Sequence, residues 1–325
     1  MDLLIVEPLD PEVLDWLSMR HGVVYAPHLA HDPREFRAAV VDVRGLVLPP
    51  SVALDRSVLR AAPQLRAVGR LSAGVENLDL EACAQAGVEV VRPATASAAA
   101  EAEFAIGALL QLLRRVPVVN AEGLAVGREL GGAVVGIVGM TPAARTLARL
   151  LDAFGTRVLG YDPAVHAGDS LWDRWGIEPV PLRQLMEHSD GVCVLLSYFS
   201  RYHGLFGQRY LAECKPNQVL VSLAPSGLFD EQALALVLRR RRMAAAWFDS
   251  MEPGTLDPGR PLHAVEALQV TPRVASTTRE SRARSAWAVA QRMDEILQLR
   301  NSAPADFTST APGAFAGLED DPAPS

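Results

Sequence analysis

Residues 135–145, VGIVGMTPAAR, join an apolar run to a turn that opens a helix. Gly139 lies in the turn, and Thr141 and Ala144 follow at the spacing where a G-x-G-x-x-G turn has its second and third glycines. Asp162 ends the next apolar run. A turn of this kind places a pyrophosphate at a helix N-terminus, and the acid accepts a hydrogen bond from a ribose hydroxyl. We therefore interpret these four residues as a dinucleotide-binding site with two substituted glycines.

The substitutions act against phosphate binding. Thr141 puts a β-branched side chain where the backbone approaches a pyrophosphate, and Pro142 removes one amide donor from the helix start. Asp162 favours NAD over NADP, because it can accept from a free ribose 2′-hydroxyl. Two interpretations stay open: the site still binds NAD, or Asp162 is only the terminal acid of a strand in a fold that no longer binds a cofactor.

The composition bounds the class of protein. A chain of 325 residues with 49% hydrophobic residues can bury a large core and has room for two domains. The net charge of −7 argues against nucleic acid as a partner. Three widely spaced cysteines, Cys83, Cys193 and Cys214, predict neither a disulfide framework nor a metal site. With an acidic N-terminus and no apolar run of membrane-spanning length, we expect a cytoplasmic protein that does not bind a membrane.

Short apolar runs alternate with helical segments through most of the chain, which predicts α/β structure with parallel sheets. A long apolar helix is expected over residues 98–115, as a bridge between two domains. The predicted strands cover 3–6, 45–48, 67–69, 88–91, 134–138, 157–161, 191–196, 219–222, 244–249 and 268–271. The other predicted helices cover 11–20, 51–62, 143–153, 182–188, 208–213, 230–240 and 280–299.

Several segments occur in an order that resembles a known family. Residues 70–80 (RLSAGVENLDL) resemble a substrate-loop signature and 102–106 (AEFAI) the start of a bridging helix. Residues 215–222 (KPNQVLVS) and 227–234 (GLFDEQAL), followed by Asp249, Pro261-Leu262 and Thr271-Pro272, are similar to the strands and helix of a cofactor domain. From about residue 40 to 300 the chain thus resembles the D-2-hydroxyacid dehydrogenases, the relatives of phosphoglycerate, formate and D-lactate dehydrogenase.

The resemblance implies a fold and a site. We expect two Rossmann-like or flavodoxin-like parallel-sheet domains: residues 1–97 with 277–300 as the substrate-type domain, and 98–276 as the NAD-binding Rossmann-type domain. Residues 301–325, rich in Ala, Pro and acids, are expected to be a disordered tail. The resemblance also implies substrate contacts from Ser72, Ala73 and Gly74, cofactor contacts from Ala224 and Asp249, and a homodimer with a shortened arm between residues 116 and 132.

The catalytic positions of that family are all changed here. Its carboxylate-binding arginine falls on Pro225, its histidine-tuning glutamate on Gly254, and its proton-donating histidine on Arg273. Proline carries no charge, glycine has no side chain, and arginine stays protonated at any accessible pH. We therefore expect ordinary reduction of 2-oxo acids to be absent or very slow.

Other side chains could have taken over the cleft. Arg273 and Arg70 could bind a small acidic ligand through their guanidinium groups, and Glu252 could supply a carboxylate from a changed loop path. We expect these three to be the catalytic residues, with Arg273 also in contact with the substrate. The alternative for Arg273 is an internal salt bridge with Glu76 or Glu252. His203 lies in a predicted loop, where a solvated histidine is expected.

Three functions stay open. The first is a catalytically repurposed member of the family, with an acidic ligand and NAD(H) in the cleft. The second is a pseudoenzyme that binds a nucleotide or a partner protein without turnover. The third is an NAD-dependent 2-hydroxyacid oxidoreductase with a relocated acid, because a shared fold alone does not decide the chemistry.

Overall fold

The structure is a computed structural model that describes residues 1–72, 77–93, 95–115, 118–119 and 121–298. The predicted substrate residues Ala73 and Gly74 and the predicted tail lie outside the described residues. The described part contains two parallel sheets with helices, which confirms the predicted α/β fold class.

The N-terminal sheet has five parallel strands in the order β2-β1-β3-β4-β5. Its strands are β1 (Leu3–Ile5), β2 (Val23–Tyr25), β3 (Gly45–Val47), β4 (Ala67–Gly69) and β5 (Glu89–Val91). Its helices are α1 (Pro11–Ser18), α2 (Pro33–Ala39), α3 (Arg56–Ala61) and α4 (Leu80–Gln85). Every residue of β1, β3 and β4 is buried, as expected for parallel strands with both faces covered.

A long helix, α5 (Ala98–Arg115), follows at the boundaries that the sequence predicts. Its apolar face packs into the core of the second sheet and contacts the first nucleotide-domain helix. A short antiparallel pair, β6 (Val118–Val119) and β7 (Ala125–Val126), comes next. No helix in the described ranges is long and apolar enough to cross a bilayer.

The second sheet has seven parallel strands in the order β10-β9-β8-β11-β12-β13-β14. They are β8 (Val134–Val138), β9 (Arg157–Tyr161), β10 (Glu178–Pro179), β11 (Gly191–Val194), β12 (Gln218–Ser222), β13 (Met243–Phe248) and β14 (Leu268–Val270). The helices are α6 (Pro142–Ala153), α7 (Leu171–Trp175), α8 (Leu182–His188), α9 (Gln208–Leu211) and α10 (Glu231–Arg239). The strand order reverses between β8 and β11, so the crevice of a doubly wound sheet lies there.

The last described helix, α11 (Arg279–Gln298), returns to the N-terminal sheet. It packs on β4, β5 and α1, and its residues Val289 and Met293 enter the core of that sheet. Gly69 in β4 permits this contact, because a Cβ atom there would lie 2.6 Å from Val289 Cγ1. The first and the last described segments of the chain therefore share one core.

Candidate functional site

The turn between β8 and α6 requires its single glycine. Gly139 has φ +98°, and a Cβ atom there would lie 2.4 Å from the backbone N and Cα of Leu196. Its N–H donates to the Tyr161 carbonyl at 2.8 Å, which ties the turn to β9. Both the backbone conformation and the close approach exclude a side chain.

Thr141 caps α6 with its own side chain. Its backbone is extended, and its Oγ1 accepts a hydrogen bond from the N–H of Ala144 at 3.3 Å. This is an N-cap interaction, and it satisfies one of the amides that the start of a helix leaves unpaired. The Thr141 hydroxyl thereby occupies a donor that could otherwise bind a phosphate oxygen.

Asp162 lies against the same turn. Its Oδ2 accepts from the N–H of Met140 at 2.7 Å, and its Oδ1 accepts from the N–H of Ala164 at 2.8 Å. The side chain is half-buried at the end of β9. Since each carboxylate oxygen has two acceptor sites, Asp162 can still accept from a ribose hydroxyl.

These residues fit a dinucleotide with a reduced phosphate contact. The turn, the N-terminus of a 12-residue helix and the ribose-binding acid lie together. Pro142 has no N–H, and the Ala144 amide is capped. We conclude that Asp162 and the start of α6 would hold the cofactor, with fewer amides on the pyrophosphate than an all-glycine turn offers.

Asp249, at the end of β13, holds the loop that follows β14. It is 4% exposed, and its carboxylate accepts from Thr271 Oγ1 at 2.7 Å and from the N–H groups of Val274 and Ala275 at 2.9 and 2.8 Å. Ala224, the other residue that the resemblance assigned to the cofactor, is buried just after β12. Asp249 therefore shapes the edge of the sheet as well as carrying charge there.

Arg273 lies in this loop with a left-handed backbone, φ +55°. Its N–H donates to the Asp249 carbonyl at 2.6 Å, and its Nε donates to Ser250 Oγ at 2.9 Å. The residue is exposed and lines a cavity of about 660 Å³ together with Thr271 and Glu252. A guanidinium group is thus held at the mouth of a cavity at the carboxyl edge of the sheet.

Gly254, the position to which the resemblance assigns the family's histidine-tuning glutamate, is unsuited to a side chain. Gly254 has φ +81°, so a glutamate there would adopt a strained left-handed conformation. Glu252, two residues earlier, is exposed, and its N–H donates to Ser226 Oγ at 3.1 Å. The altered loop therefore brings its carboxylate beside the segment after β12.

The side chains of Glu252, Tyr198 and His203 lie around the same glycine, Gly227. A Cβ atom on Gly227 would lie 3.1 Å from Glu252 Oε1, 3.2 Å from Tyr198 Cε2 and 3.6 Å from His203 Nδ1. Tyr198 Oη and His203 Nδ1 are 3.3 Å apart. His203, Gly227 and Glu252 line a second cavity, of about 550 Å³, so Glu252 borders both cavities.

Arg70 does not lie in an open cleft, contrary to the sequence-based expectation. It is 0% exposed, and its guanidinium donates to Ser72 Oγ at 2.8 Å and to Asn77 Oδ1. Nearby, burial raises the pKa of Glu7, although the Leu71 N–H and the Arg70 charge act in the opposite direction. Arg70 and Ser72 thus order the start of the predicted substrate loop.

The sequence analysis missed Glu101, in the first turn of α5. Burial raises the pKa of this carboxyl, a hydrogen bond from the Ser97 side chain opposes the shift, and the nearby Asp249 charge adds to it. The signal in the sequence was an acid among alanines at the start of an apolar helix. The effect of Asp249 joins residues that are far apart in the chain, so it depends on how α5 packs on the second sheet.

Known proteins match this architecture. Residues 107–275 match the model of the D-isomer specific 2-hydroxyacid dehydrogenase NAD binding domain. A (S)-sulfolactate dehydrogenase of Chromohalobacter salexigens is 31% identical over 308 residues, 92% of this chain and 99% of that protein. A D-3-phosphoglycerate dehydrogenase of Mycobacterium tuberculosis is 32% identical over 89% of this chain, which spans 55% of that relative.

Solved structures agree in fold. The TT0316 protein from Thermus thermophilus superposes with a TM-score of 0.75 at 26% identity, covering 92% of this chain and 98% of that one. The part of this chain that matches the family model, residues 107–275, includes the turn at Gly139, Asp162, Asp249 and Arg273. From its sequence, its two sheets and its NAD-binding domain, this chain belongs to the D-isomer specific 2-hydroxyacid dehydrogenase family.

Proposed function

We propose that this protein binds a small carboxylic acid beside NAD(H) in the cleft at the carboxyl edge of its second sheet, and that ordinary 2-oxo acid reduction is lost or very weak. The observation that carries the proposal is Arg273, an exposed guanidinium fixed at a cavity where the family has its proton donor. Arginine binds carboxylates in a two-point geometry. The names of two relatives, for sulfolactate and phosphoglycerate, support an acidic ligand.

The residues present favour binding over proton transfer. NAD(H), when bound, donates or accepts a hydride. Arg273 can neutralise the carboxylate of a ligand, but a guanidinium holds its proton at any accessible pH. Pro225 and Gly254 supply neither a second carboxylate contact nor a tuning acid. Because the Glu252 carboxylate also lines this cavity, we expect it to bind ligands whose negative charge lies near Arg273 and away from Glu252.

Ligand binding tests this proposal. We expect oxamate, titrated into the protein with saturating NADH, to bind with a Kd weakened at least about tenfold in Arg273→Gln, because one charge-assisted contact is lost. Arg273→Lys keeps the positive charge but cannot make the two-point contact of a guanidinium group, so this variant should bind oxamate with intermediate affinity. An unchanged Kd in Arg273→Gln would reject Arg273 as the ligand contact. NADH binding without oxamate binding or turnover would support a pseudoenzyme instead.

The loss of ordinary reduction has its own test. We expect no NADH oxidation with glyoxylate, pyruvate or hydroxypyruvate in the unaltered protein. The double variant P225R, R273H, which keeps Gly254 with its left-handed backbone, should recover measurable reduction if the missing arginine and histidine limit the reaction. Rapid reduction by the unaltered protein would overturn this part of the proposal.

A relocated acid is the second candidate, and one observation favours it. His203 Nδ1 lies 3.3 Å from Tyr198 Oη and lines the same cavity as Glu252, and histidine is the side chain that most often serves as a general acid. If His203 is that acid, His203→Asn should abolish any residual reduction and its pH dependence. His263→Asn, at another exposed histidine, is the matched control and should leave both unchanged.

A further inference from the structure

Two acids lie on the wall of the cavity that contains Arg273. Glu252 and Asp257 both line this space of about 660 Å³, and both are exposed. They belong to the loop between β13 and β14, as does Ser250, whose Oγ accepts from Arg273 Nε at 2.9 Å. The cavity thus carries charges of both signs on one wall.

Neither acid is neutralised by a side chain of the described ranges. No ion pair and no hydrogen bond to the carboxylate of Glu252 or Asp257 occurs there, whereas Glu231 at the neighbouring cavity is paired with Arg260 at 2.6 Å. The negative charge of the two acids therefore acts on whatever molecule enters the cavity.

Buried neighbours hold the backbone of Glu252 at this wall. Its N–H donates to Ser226 Oγ at 3.1 Å, and its carbonyl accepts from the N–H of Thr255 at 3.2 Å. Ser226 and Thr255 are both buried. A loop that the fold already holds in place loses little conformational entropy when it binds a ligand.

A ligand with a single negative charge uses only part of this cavity. Its carboxylate is attracted to Arg273, but a second carboxylate would be repelled by Glu252 and Asp257. A ligand that carries a carboxylate and an ammonium group is attracted by both kinds of charge, through charge-assisted hydrogen bonds. The wall also includes apolar side chains that can contact the carbon chain of such a ligand: Met251, Leu256 and Val270.

We propose that the ligand of this cavity is an amino acid, whose carboxylate binds Arg273 and whose ammonium group binds Glu252. The inference rests on the proposed function, since it uses Arg273 as the carboxylate contact, and it adds the chemical class of the ligand. A carboxylic acid of the same length without an amino group binds more weakly, because it leaves the Glu252 charge without a counter-charge.

Matched pairs of ligands test this inference. With saturating NADH at neutral pH, we would titrate glycine, β-alanine, 4-aminobutyrate and 5-aminopentanoate into the protein by calorimetry. Each is compared with the acid that lacks the amino group: acetate, propionate, butyrate and pentanoate. At least one amino acid should bind about tenfold more tightly than its partner acid, the effect of one added charge-assisted contact.

Variants of Glu252 identify the acid that binds the ammonium group. Glu252→Gln should remove the preference for amino acids without weakening the binding of the plain acids. Glu252→Asp keeps the charge on a shorter side chain, so it should move the preference to a longer amino acid. Glu266→Gln changes an exposed acid that lines neither of the two cavities, and this matched control should keep the preference of the unaltered protein.

The pairs separate this inference from the proposed function. If the plain acids bind and every amino acid binds equally or more weakly, the inference is wrong and the carboxylate site stands. A preference that persists in Glu252→Gln would also overturn it, because the ammonium group would then bind elsewhere. Absence of binding by both sets and by oxamate would overturn the carboxylate contact of the proposed function as well. The comparison in the unaltered protein decides the inference even if a variant fails to fold.

Discussion

At the scale of single residues, Thr141 decides how strongly the turn can hold a phosphate. Its hydroxyl caps the Ala144 amide, which stabilises α6 without a ligand. The same hydrogen bond competes with a pyrophosphate oxygen for that donor. A single side chain thus exchanges ligand affinity for stability of the free helix.

We expect Thr141→Gly to bind NADH about tenfold more tightly, because a charge-assisted hydrogen bond from the Ala144 amide becomes available. The loss in stability should be small, a few tenths of a kcal/mol, since glycine is itself a fair N-cap residue. Calorimetric titration measures the affinity. Thr141→Ser keeps the capping hydroxyl and is the control. Equal affinities of the glycine variant and the unaltered protein would show that the cap does not limit binding.

Gly139, in the same turn as Thr141, matters for the stability of the fold. Gly139→Ala should lower the free energy of unfolding by about 3 kcal/mol. The left-handed backbone is strained for alanine, and its Cβ atom would overpack against Leu196, so both effects destabilise the folded state. Gly132→Ala, at φ +75° with no atom within 4 Å of its Cβ position, isolates the backbone contribution of roughly 1 kcal/mol. Urea unfolding compares the two variants. Similar losses in both would mean that the contact with Leu196 is unimportant.

At the scale of elements, glycines in β4 and β3 decide how closely α11 can approach the N-terminal sheet. Gly69 faces Val289 Cγ1, and Gly45 faces Met293 Cε at 2.9 Å from its Cβ position. Strand propensity disfavours glycine, so its presence in buried three-residue strands indicates a packing requirement. The returning helix, rather than the sheet itself, imposes that requirement.

Gly69→Ala should destabilise the protein by about 1–3 kcal/mol, because the new methyl group overpacks against Val289. Combining it with Val289→Ala should recover at least about 1 kcal/mol relative to the sum of the two single changes. The measurement is a double-mutant cycle in urea. Gly107→Ala, at an exposed position of α5 with open space around it, should stabilise the protein instead. Additive single changes would contradict direct contact.

Most of the predicted elements are present in the structure, and the elements that were not predicted are short. The bounds of β8, β9, β4, α5 and α8 are as predicted, because each has a clear apolar pattern between turn residues. The elements that were not predicted are the strands β2, β6, β7 and β10 and the helices α2, α4 and α7. The four strands have two or three residues each and no fully buried position, so they lack a periodic signal. The three helices have seven residues or fewer.

At the scale of the whole molecule, the hairpin of β6 and β7 exposes apolar side chains. Val119 is 71% exposed and Leu124 58% exposed, although both are large and hydrophobic. A cluster of this kind is typical of a surface that another chain covers. It lies in the segment where the family resemblance implies a dimerisation arm, so a homodimer stays our proposal.

We expect the protein to sediment as a dimer and the double variant V119D, L124D to sediment as a monomer, because burial of two carboxylates opposes association. Sedimentation velocity at several concentrations measures this. Met19→Asp, which alters a residue that is 76% exposed on the N-terminal sheet's side, is the control and should stay dimeric. A monomeric unaltered protein, or a double variant that remains dimeric, would reject the hairpin as the interface.

The sequence by itself determined the fold class and the cofactor turn, and it predicts that the family's catalytic side chains are absent. These properties are local: apolar periodicity, a short spacing between Gly139 and Asp162, and the residue type at positions 225, 254 and 273. A missing functional group is visible without any contact being known. The sequence alone therefore predicts the loss of ordinary reduction.

Only the tertiary structure decided which charged groups meet. It buried the guanidinium of Arg70 against Ser72 and Asn77, and it placed Glu252, His203 and Tyr198 around Gly227. Phe104 of α5 and Trp247 of β13 are far apart in the chain, and their rings meet because α5 packs on the second sheet. Because such contacts arise from packing between distant elements, no local pattern in the sequence specifies them.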